Sequence, residues 1–515
     1  MIATNVRRLG FYLIIAFALV SGSLVWWQVV EAPALAARPD NPEVIAARRS
    51  LMRGSIFDAS GDLLASSEVV DGLSRRTYTD TAFAHVIGYA THLFGSTGIE
   101  RSFEDILVGQ TDPNPVRDLV NDILDRQPQP RDLTLTIDRR LQDFAAAQLG
   151  GDAGAVVALD PETGAVLAMV SSPTFDATAI SGDPGASREP MEQLRADEEN
   201  EPLLSRARQG RFVPGSIMKV FTASAALDAG AITPGTTYEE QPRQEREGFV
   251  VDGFTIREHD LGGIEPALWP LSEALQVSSN IYFAHVGLDL GAERFLDYAR
   301  RFGFCEPLEI GPPGRALSVA ASYVTQPEEG DCGPFEGDVE LASASFGQGS
   351  VTVTPVQMAL LAAAVAGDGV MPHPYVVRDV RAHAEGDAPG DTVLERFTSR
   401  GGSRVLSTEA ARQVRSAMVD AVNAELGQLY AGQADITRYG ISGSRAAGKT
   451  GTAQLGGEQA PHSWFIGFAP AEEGADPAIA VAVLVESGGS GSGRAAPIGG
   501  EVMAEWLRIR GAGGD

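Results

Sequence analysis

Ala155-Val156-Val157-Ala158-Leu159 and Ala165-Val166-Leu167-Ala168-Met169-Val170 are two apolar runs of strand length on either side of Asp160-Pro161-Glu162-Thr163-Gly164, which has the proline and glycine of a turn. Together they read as the first hairpin of an antiparallel sheet. Just upstream, Leu133 to Ile137 alternates apolar and polar residues as a strand does, and Asp138 can cap a helix that runs to Gly150-Gly151. Downstream the signals are mostly helical as far as Lys449. One of the clearest is Thr354-Pro355-Val356-Gln357, a capping box with proline at the first helical position, closed by Gly367. Strands return at Trp464 to Ala469 and Ile479 to Val485, followed by a helix from Ala495 to Arg510. Strands from both ends must share one sheet, which gives an α+β domain with a helical insertion over 131–515.

Before that domain the chain divides into three. Residues 1–8 carry Arg7 and Arg8, and residues 9–30 hold no charge and end near Trp26 and Trp27. As a helix, 22 residues span roughly 33 Å, enough for a hydrocarbon core of ~30 Å. The arginines set the N-terminus inside and the tryptophans suit the outer interface, so the rest lies outside the cytoplasm. Ala34-Leu35-Ala36 offers a cleavage pattern, but the apolar run exceeds the usual ~7 to 15 residues of a signal peptide, which favours an uncleaved, single-pass anchor. Residues 31–130 form a small mixed module, with a hairpin signal around Ser60-Gly61-Asp62 and punctuation at Gln127-Pro128-Gln129-Pro130.

Composition narrows the chemistry. The 515 residues include 40 basic and 68 acidic side chains, a net charge of −28, which disfavours binding to nucleic acid. At 44% hydrophobic and 21% charged, the chain is no disordered polymer. Two cysteines and seven histidines show no disulfide-dense or zinc-like pattern, so neither metal nor cofactor is expected. The telling feature is lysine: only Lys219 and Lys449 occur, and every other basic residue is arginine. Such a chain keeps lysine where an amine must be compact or must lose its proton.

Both lysines sit in motifs. Pro214-Gly215-Ser216-Ile217-Met218-Lys219 opens an apolar helix, which places Ser216 at its N-terminus and Lys219 one turn on, facing the same side. A serine becomes a nucleophile when a base takes its proton, and a neutral Lys219 could be that base. Lys449-Thr450-Gly451-Thr452 alternates hydroxyls around a glycine, so a substrate backbone can lie close while Thr450 and Thr452 bind a carboxylate. Between them, Ser278-Ser279-Asn280 can aim one hydroxyl and one amide into the same cleft, although in isolation it reads as a loop or cap.

S-x-x-K, S-x-N and K-T-G in that order resemble the signature of penicillin-binding proteins and serine β-lactamases. The 169 positions from Asn280 to Lys449, the anchor and the module before the large domain are similar to a class B penicillin-binding protein, a monofunctional peptidoglycan D,D-transpeptidase. Arg53-Gly54-Ser55-Ile56-Phe57-Asp58 and Gly98-Ile99-Glu100 resemble its stem motifs, and Gly347-Gln348-Gly349 with Thr354-Pro355 a segment of its transpeptidase domain. The short stem is most like the PbpA subtype; Asp58-Ala59-Ser60-Gly61 departs from the family's usual Asp-Arg-Asn-Gly.

The resemblance implies the penicillin-binding, β-lactamase-like fold for 131–515 and a dimerisation-like stem. It implies that Ser216 attacks a D-alanyl carbonyl of a peptidoglycan stem peptide and that Lys219 accepts its proton. Ser278 would relay a proton to the departing D-alanine, and Asn280 would hold the substrate amide and the lysine. Lys449, Thr450, Gly451 and Thr452 would meet the substrate, with the amides of Ser216 and Thr452 as oxyanion hole. It further implies β-lactams as covalent inhibitors, a SEDS-family glycan polymerase as partner, a place in cell shape or division, and residence in the plasma membrane. The rivals are a D,D-carboxypeptidase or β-lactam hydrolase of the same fold, and a non-catalytic scaffold of the wall machinery. Cys305 and Cys332 fit a bridge or two separate buried thiols. The Gly488–Gly493 run reads as a flexible connection near the cleft, and His285 as a packing residue.

Overall fold

The computed structural model describes residues 2–31, 51–70, 73–110, 129–182, 185–457 and 459–512. The Ala34-Leu35-Ala36 site and the start of the Gln127–Pro130 punctuation lie outside them.

The hairpin at 155–170 forms as Gly154–Leu159 and Val166–Ser172. It occupies one side of a five-stranded antiparallel sheet whose order is Ala447–Ala453, His462–Ala469, Ile479–Val485, Gly154–Leu159, Val166–Ser172. Strands from the two ends of the domain thus meet in one sheet, with the helical block inserted between them. The Ile479–Val485 strand shows why the sheet needs cover on both faces, since all seven residues are buried. Ala480, Ala482 and Leu484 join the core of the helical block, whereas Ile479, Val481, Val483 and Val485 join the core under the C-terminal helix Ala495–Ala512. The wholly buried helix Pro355–Ala366 packs on the first face. It is capped by Thr354, whose hydroxyl accepts from Gln357 N at 3.2 Å, but the reciprocal half of the capping box is absent: Gln357 Nε2 donates to Phe302 O at 2.7 Å instead. Asp138 caps Arg139–Leu149, which Gly150 ends in the left-handed conformation.

The strand expected at Leu133–Ile137 to open the large domain forms as Arg131–Leu135 and lies in a second sheet instead. That sheet runs Val393–Arg396, Val377–Ala382, Arg131–Leu135, Ile56–Phe57, Leu63–Val70, Leu73–Tyr78, so it joins residues of the stem and of the large domain edge to edge. Gly54 is required at this seam, because a Cβ there would sit 1.9 Å from Arg131 O. Beneath it, buried Glu100 binds Arg53 Nε at 2.8 Å and Arg76 Nε at 2.6 Å. Cys305 and Cys332 are joined by a disulfide. His285 stacks between Tyr238 and Phe249, with centroids 4.5 and 4.1 Å away, and is a packing residue. At the N-terminus, Ile2–Val25 is helical and continues through Trp26–Val30. Val6–Gln28 is long and apolar enough to cross a membrane.

Candidate active site

Ser216 stands on a single 3-10 turn, Gly215–Ile217, that runs into the helix Met218–Asp228, whose residues 218–227 are all buried. The turn is held from two sides by glycine. Gly215, at φ +58°, donates its N–H to Gly347 O at 3.0 Å, and a Cβ on Gly347 would lie 1.9 Å from Gly215 O. Behind it Trp464 Nε1 donates to Val213 O at 2.9 Å. The Gly347-Gln348-Gly349 segment therefore backs the nucleophile turn.

One helical turn after Ser216, the fully buried Lys219 Nζ reaches Ser216 Oγ at 3.0 Å. It also meets Asn280 Oδ1 at 2.8 Å, Ser278 Oγ at 3.3 Å and the carbonyl oxygen of Ser278. From the opposite wall Lys449 Nζ donates to Ser278 Oγ at 2.9 Å and to Thr450 O at 3.0 Å. Ser278 presents both its hydroxyl and its carbonyl to these amines because its backbone is at φ +59°, a left-handed conformation that costs a non-glycine residue about 1 kcal/mol or more. Its neighbour Ser279 is indeed a cap, accepting Tyr282 N at 3.1 Å at the head of the helix Asn280–Leu290. Cap and cleft residues therefore alternate within one tripeptide.

Two buried amines share one hydroxyl, and that sets their charge. Burial lowers Lys219 to about 7, against the opposing pull of the Glu258 carboxylate. Burial, together with the charge of Lys219, holds Lys449 well below its ordinary value. An amine that titrates near neutrality can take a proton from Ser216, which an ordinary surface lysine cannot.

The Ala447–Ala453 strand is an edge strand of the sheet, so its outer side can pair with an extended ligand backbone. Gly451 lies against the nucleophile turn, where a Cβ would come within 2.8 Å of Pro214 O. Of the two hydroxyls in this motif, Thr450 is buried and Thr452 exposed. The Gly488–Gly493 run, read from sequence as a flexible connection, is tied down to this strand and to its neighbour His462–Ala469. Gly491 N donates to Thr452 Oγ1 at 3.2 Å, and Ser463 Oγ donates to Ser490 O at 2.8 Å. Of the eight residues singled out from sequence, Ser216, Lys219, Ser278, Asn280 and Lys449 are thus joined by hydrogen bonds, and Thr450, Gly451 and Thr452 continue from Lys449 along the strand that lies against the nucleophile turn.

Sequence reasoning missed the residue behind it. Glu258, in the run Arg257-Glu258-His259-Asp260, looks like a solvated loop residue, yet its side chain is 2% exposed. Its carboxylate accepts Asn280 N at 2.8 Å and Ile281 N at 3.1 Å, which caps the Asn280–Leu290 helix from a distant loop. Burial would raise its proton affinity, but the hydrogen bond from His259 and the charge of Lys219 outweigh that and bring it down to about 2. No local pattern announces a cap supplied from 22 residues upstream.

Comparison with known proteins agrees with this geometry. Residues 154–504 match the penicillin-binding protein transpeptidase domain, and 53–133 match the penicillin-binding protein A dimerisation domain. The peptidoglycan D,D-transpeptidase PbpA of Mycolicibacterium smegmatis is 34% identical over 525 residues, covering 98% of this chain and 99% of that protein. The MrdA D,D-transpeptidase of Escherichia coli is 28% identical, over 82% of this chain and 70% of its own. Penicillin-binding protein A from Mycobacterium tuberculosis, solved as its ceftriaxone acyl-enzyme complex, superposes with a TM-score of 0.76 at 31% identity, over 90% of this chain and 100% of that one. By both family matches and these relatives, taken with the sheet and the three motifs, the chain belongs to the penicillin-binding protein family, with a transpeptidase domain behind a PbpA-type dimerisation module.

Proposed function

We propose that the protein is a serine D,D-transpeptidase that cross-links peptidoglycan stem peptides, and that the chain Ser216 Oγ, Lys219 Nζ, Ser278 Oγ, Lys449 Nζ beside the free edge of the Ala447–Ala453 strand carries the reaction. The donor peptide lies along that edge with its terminal carboxylate at Thr452, the exposed hydroxyl of the motif, near the charge of Lys449. Lys219 takes the Ser216 proton as Oγ attacks the penultimate D-alanyl carbonyl. Amides of Ser216 and Thr452 receive the oxyanion, each such donor being worth about 3 kcal/mol of barrier. As the C–N bond breaks, the proton passes from Lys219 through Ser278 Oγ to the leaving D-alanine. The acceptor amine then attacks the acyl carbon, gives its proton to Lys219, and the C–O bond breaks to restore Ser216. β-Lactams acylate the same serine; penicillin-binding protein A from M. tuberculosis forms acyl-enzyme complexes with ceftriaxone and imipenem.

Among the described residues the apolar span Val6–Gln28 is not buried against the rest of the chain, which supports an anchor in the plasma membrane with the catalytic domain outside the cytoplasm. That span and the stem are the surfaces for a SEDS-family glycan polymerase. The activity is tested by giving the full-length chain a stem pentapeptide donor with an acceptor amine and following both products by mass. Cross-linked dimer with stoichiometric release of D-alanine is expected. Release of D-alanine with only trimmed tetrapeptide would make it a D,D-carboxypeptidase.

A further inference from the structure

Behind Asn280 two buried carboxyl groups face one serine. Ser279 Oγ lies 2.8 Å from Glu245 Oε1, 2.8 Å from Glu258 Oε2, and accepts Tyr282 N at 3.1 Å. A hydroxyl has one proton to donate and two lone pairs to accept with. Tyr282 N takes one lone pair, so the single hydroxyl proton can serve only one carboxylate. The other must either donate a proton of its own or press an unprotonated oxygen against the serine oxygen.

Counting donors says which acid is neutral. Glu258 accepts three backbone N–H groups, Asn280 N, Ile281 N and His259 N at 3.1 Å, and lies 2.8 Å from His259 Nδ1. Among the described residues, the N–H groups that Glu245 accepts are Gln241 Nε2 at 2.9 Å and Trp269 Nε1 at 3.2 Å. We infer that Glu245 is a carboxylic acid that donates to Ser279, that Ser279 donates to the Glu258 carboxylate, and that this ordered chain presents one fixed negative charge to Lys219 and sets the pH range in which it is a base. The electrostatics point the same way: burial and then the neighbouring Glu258 charge raise Glu245, whereas Glu258 is lowered. Other ionisable groups around this unit are Lys449 on the edge strand, and Tyr430 and Asp260 beyond His259. Glu245 and Glu258 are positioning residues, since neither touches substrate.

The inference rests on Lys219 being the general base, so its test has one arm that needs no catalysis. Infrared difference spectra of the full-length chain in detergent are compared with Glu245→Gln, well above the pH at which Asp143 titrates, about 6 through burial and the nearby Asp80 carboxylate. Wild type is expected to show the C=O stretch of a neutral carboxylic acid that Glu245→Gln lacks; a spectrum without that band, or a band that survives the substitution, overturns the chain. In the second arm, acylation by a chromogenic cephalosporin is followed against pH and each variant is scaled to its own plateau. Glu245→Gln keeps a donor to Ser279, so its low-pH limb should coincide with wild type. Glu258→Gln removes the charge that raises Lys219, so its limb should move down by about one pH unit. A merely structural Glu258 would lower the plateau and leave the limb in place, and that outcome, or a limb displaced by Glu245→Gln, overturns the role assigned here.

Discussion

Ser278 concentrates the cost and the use of this site in one residue. Its left-handed backbone aims a carbonyl and a hydroxyl at Lys219 while Lys449 binds the same hydroxyl. Ser278→Gly would relieve about 1 kcal/mol of backbone strain but leave the buried Lys219 and Lys449 without their shared hydroxyl, which offsets that gain, and it removes the proton relay. Thermal melting beside the rate of acylation checks it, with no rise in Tm and a fall in rate expected. For Lys219 the sign with pH is definite: below its value of about 7 the amine is charged and cannot take the Ser216 proton. Acylation should climb with pH through that point, and Lys219→Gln should lower the plateau by about 10² to 10⁴. A stopped-flow pH profile reads both. The two lysines were legible because the chain keeps so few of them. Glu258 was not, because a carboxylate in a polar loop has the same local sequence whether it caps a distant helix or faces water.

Elements were legible where the chain's own periodicity decides them and illegible where a partner does. The hairpin at 155–170, the cap at Asp138 and the helix after Thr354 each carry a local signal and form as read. Gln357 departs from its capping box because Phe302 O offers a buried acceptor that only the tertiary fold supplies. The glycine run 488–493 is composed like a linker, but its small residues let the backbone close on the edge strand, where a Cβ on Gly491 would meet Gly451 O at 2.5 Å. Gly347 gives the sharpest element-scale test. Gly347→Ala would set a Cβ against Gly215 O and hold a strained φ, so the nucleophile turn must shift. Slower acylation with the Lys219 pH limb unchanged is expected, since the turn moves while the charges behind it stay. The disulfide closes a separation of 27 residues, and Cys305→Ser with Cys332→Ser should lower stability by about 3 to 4 kcal/mol on a denaturant curve.

On the scale of the molecule the stem is continuous with the catalytic domain through the shared six-stranded sheet, not a bead on a linker. The sequence gives no hint of this, because parallel pairing of Ile56–Phe57 with Arg131–Leu135 joins segments 77 positions apart. Glu100 braces the stem side of that sheet through Arg53 and Arg76. Burial raises its proton affinity, but Arg76 and Arg53 outweigh it and hold the carboxyl below its usual range. Its contribution is therefore present above the ordinary carboxylate range and is lost as pH falls through the depressed value. Glu100→Gln would leave two buried guanidinium groups short of charge and should cost about 3 to 5 kcal/mol, read as a lower denaturant midpoint. The central claim, an acyl-enzyme on Ser216, is tested most directly by intact-mass and peptide-mass measurement of the full-length chain after incubation with benzylpenicillin, in parallel with Ser216→Ala. One long-lived adduct per chain, on the peptide bearing Ser216 and absent from the variant, is the predicted result; an adduct that persists in Ser216→Ala, or none on the folded wild type, would contradict it.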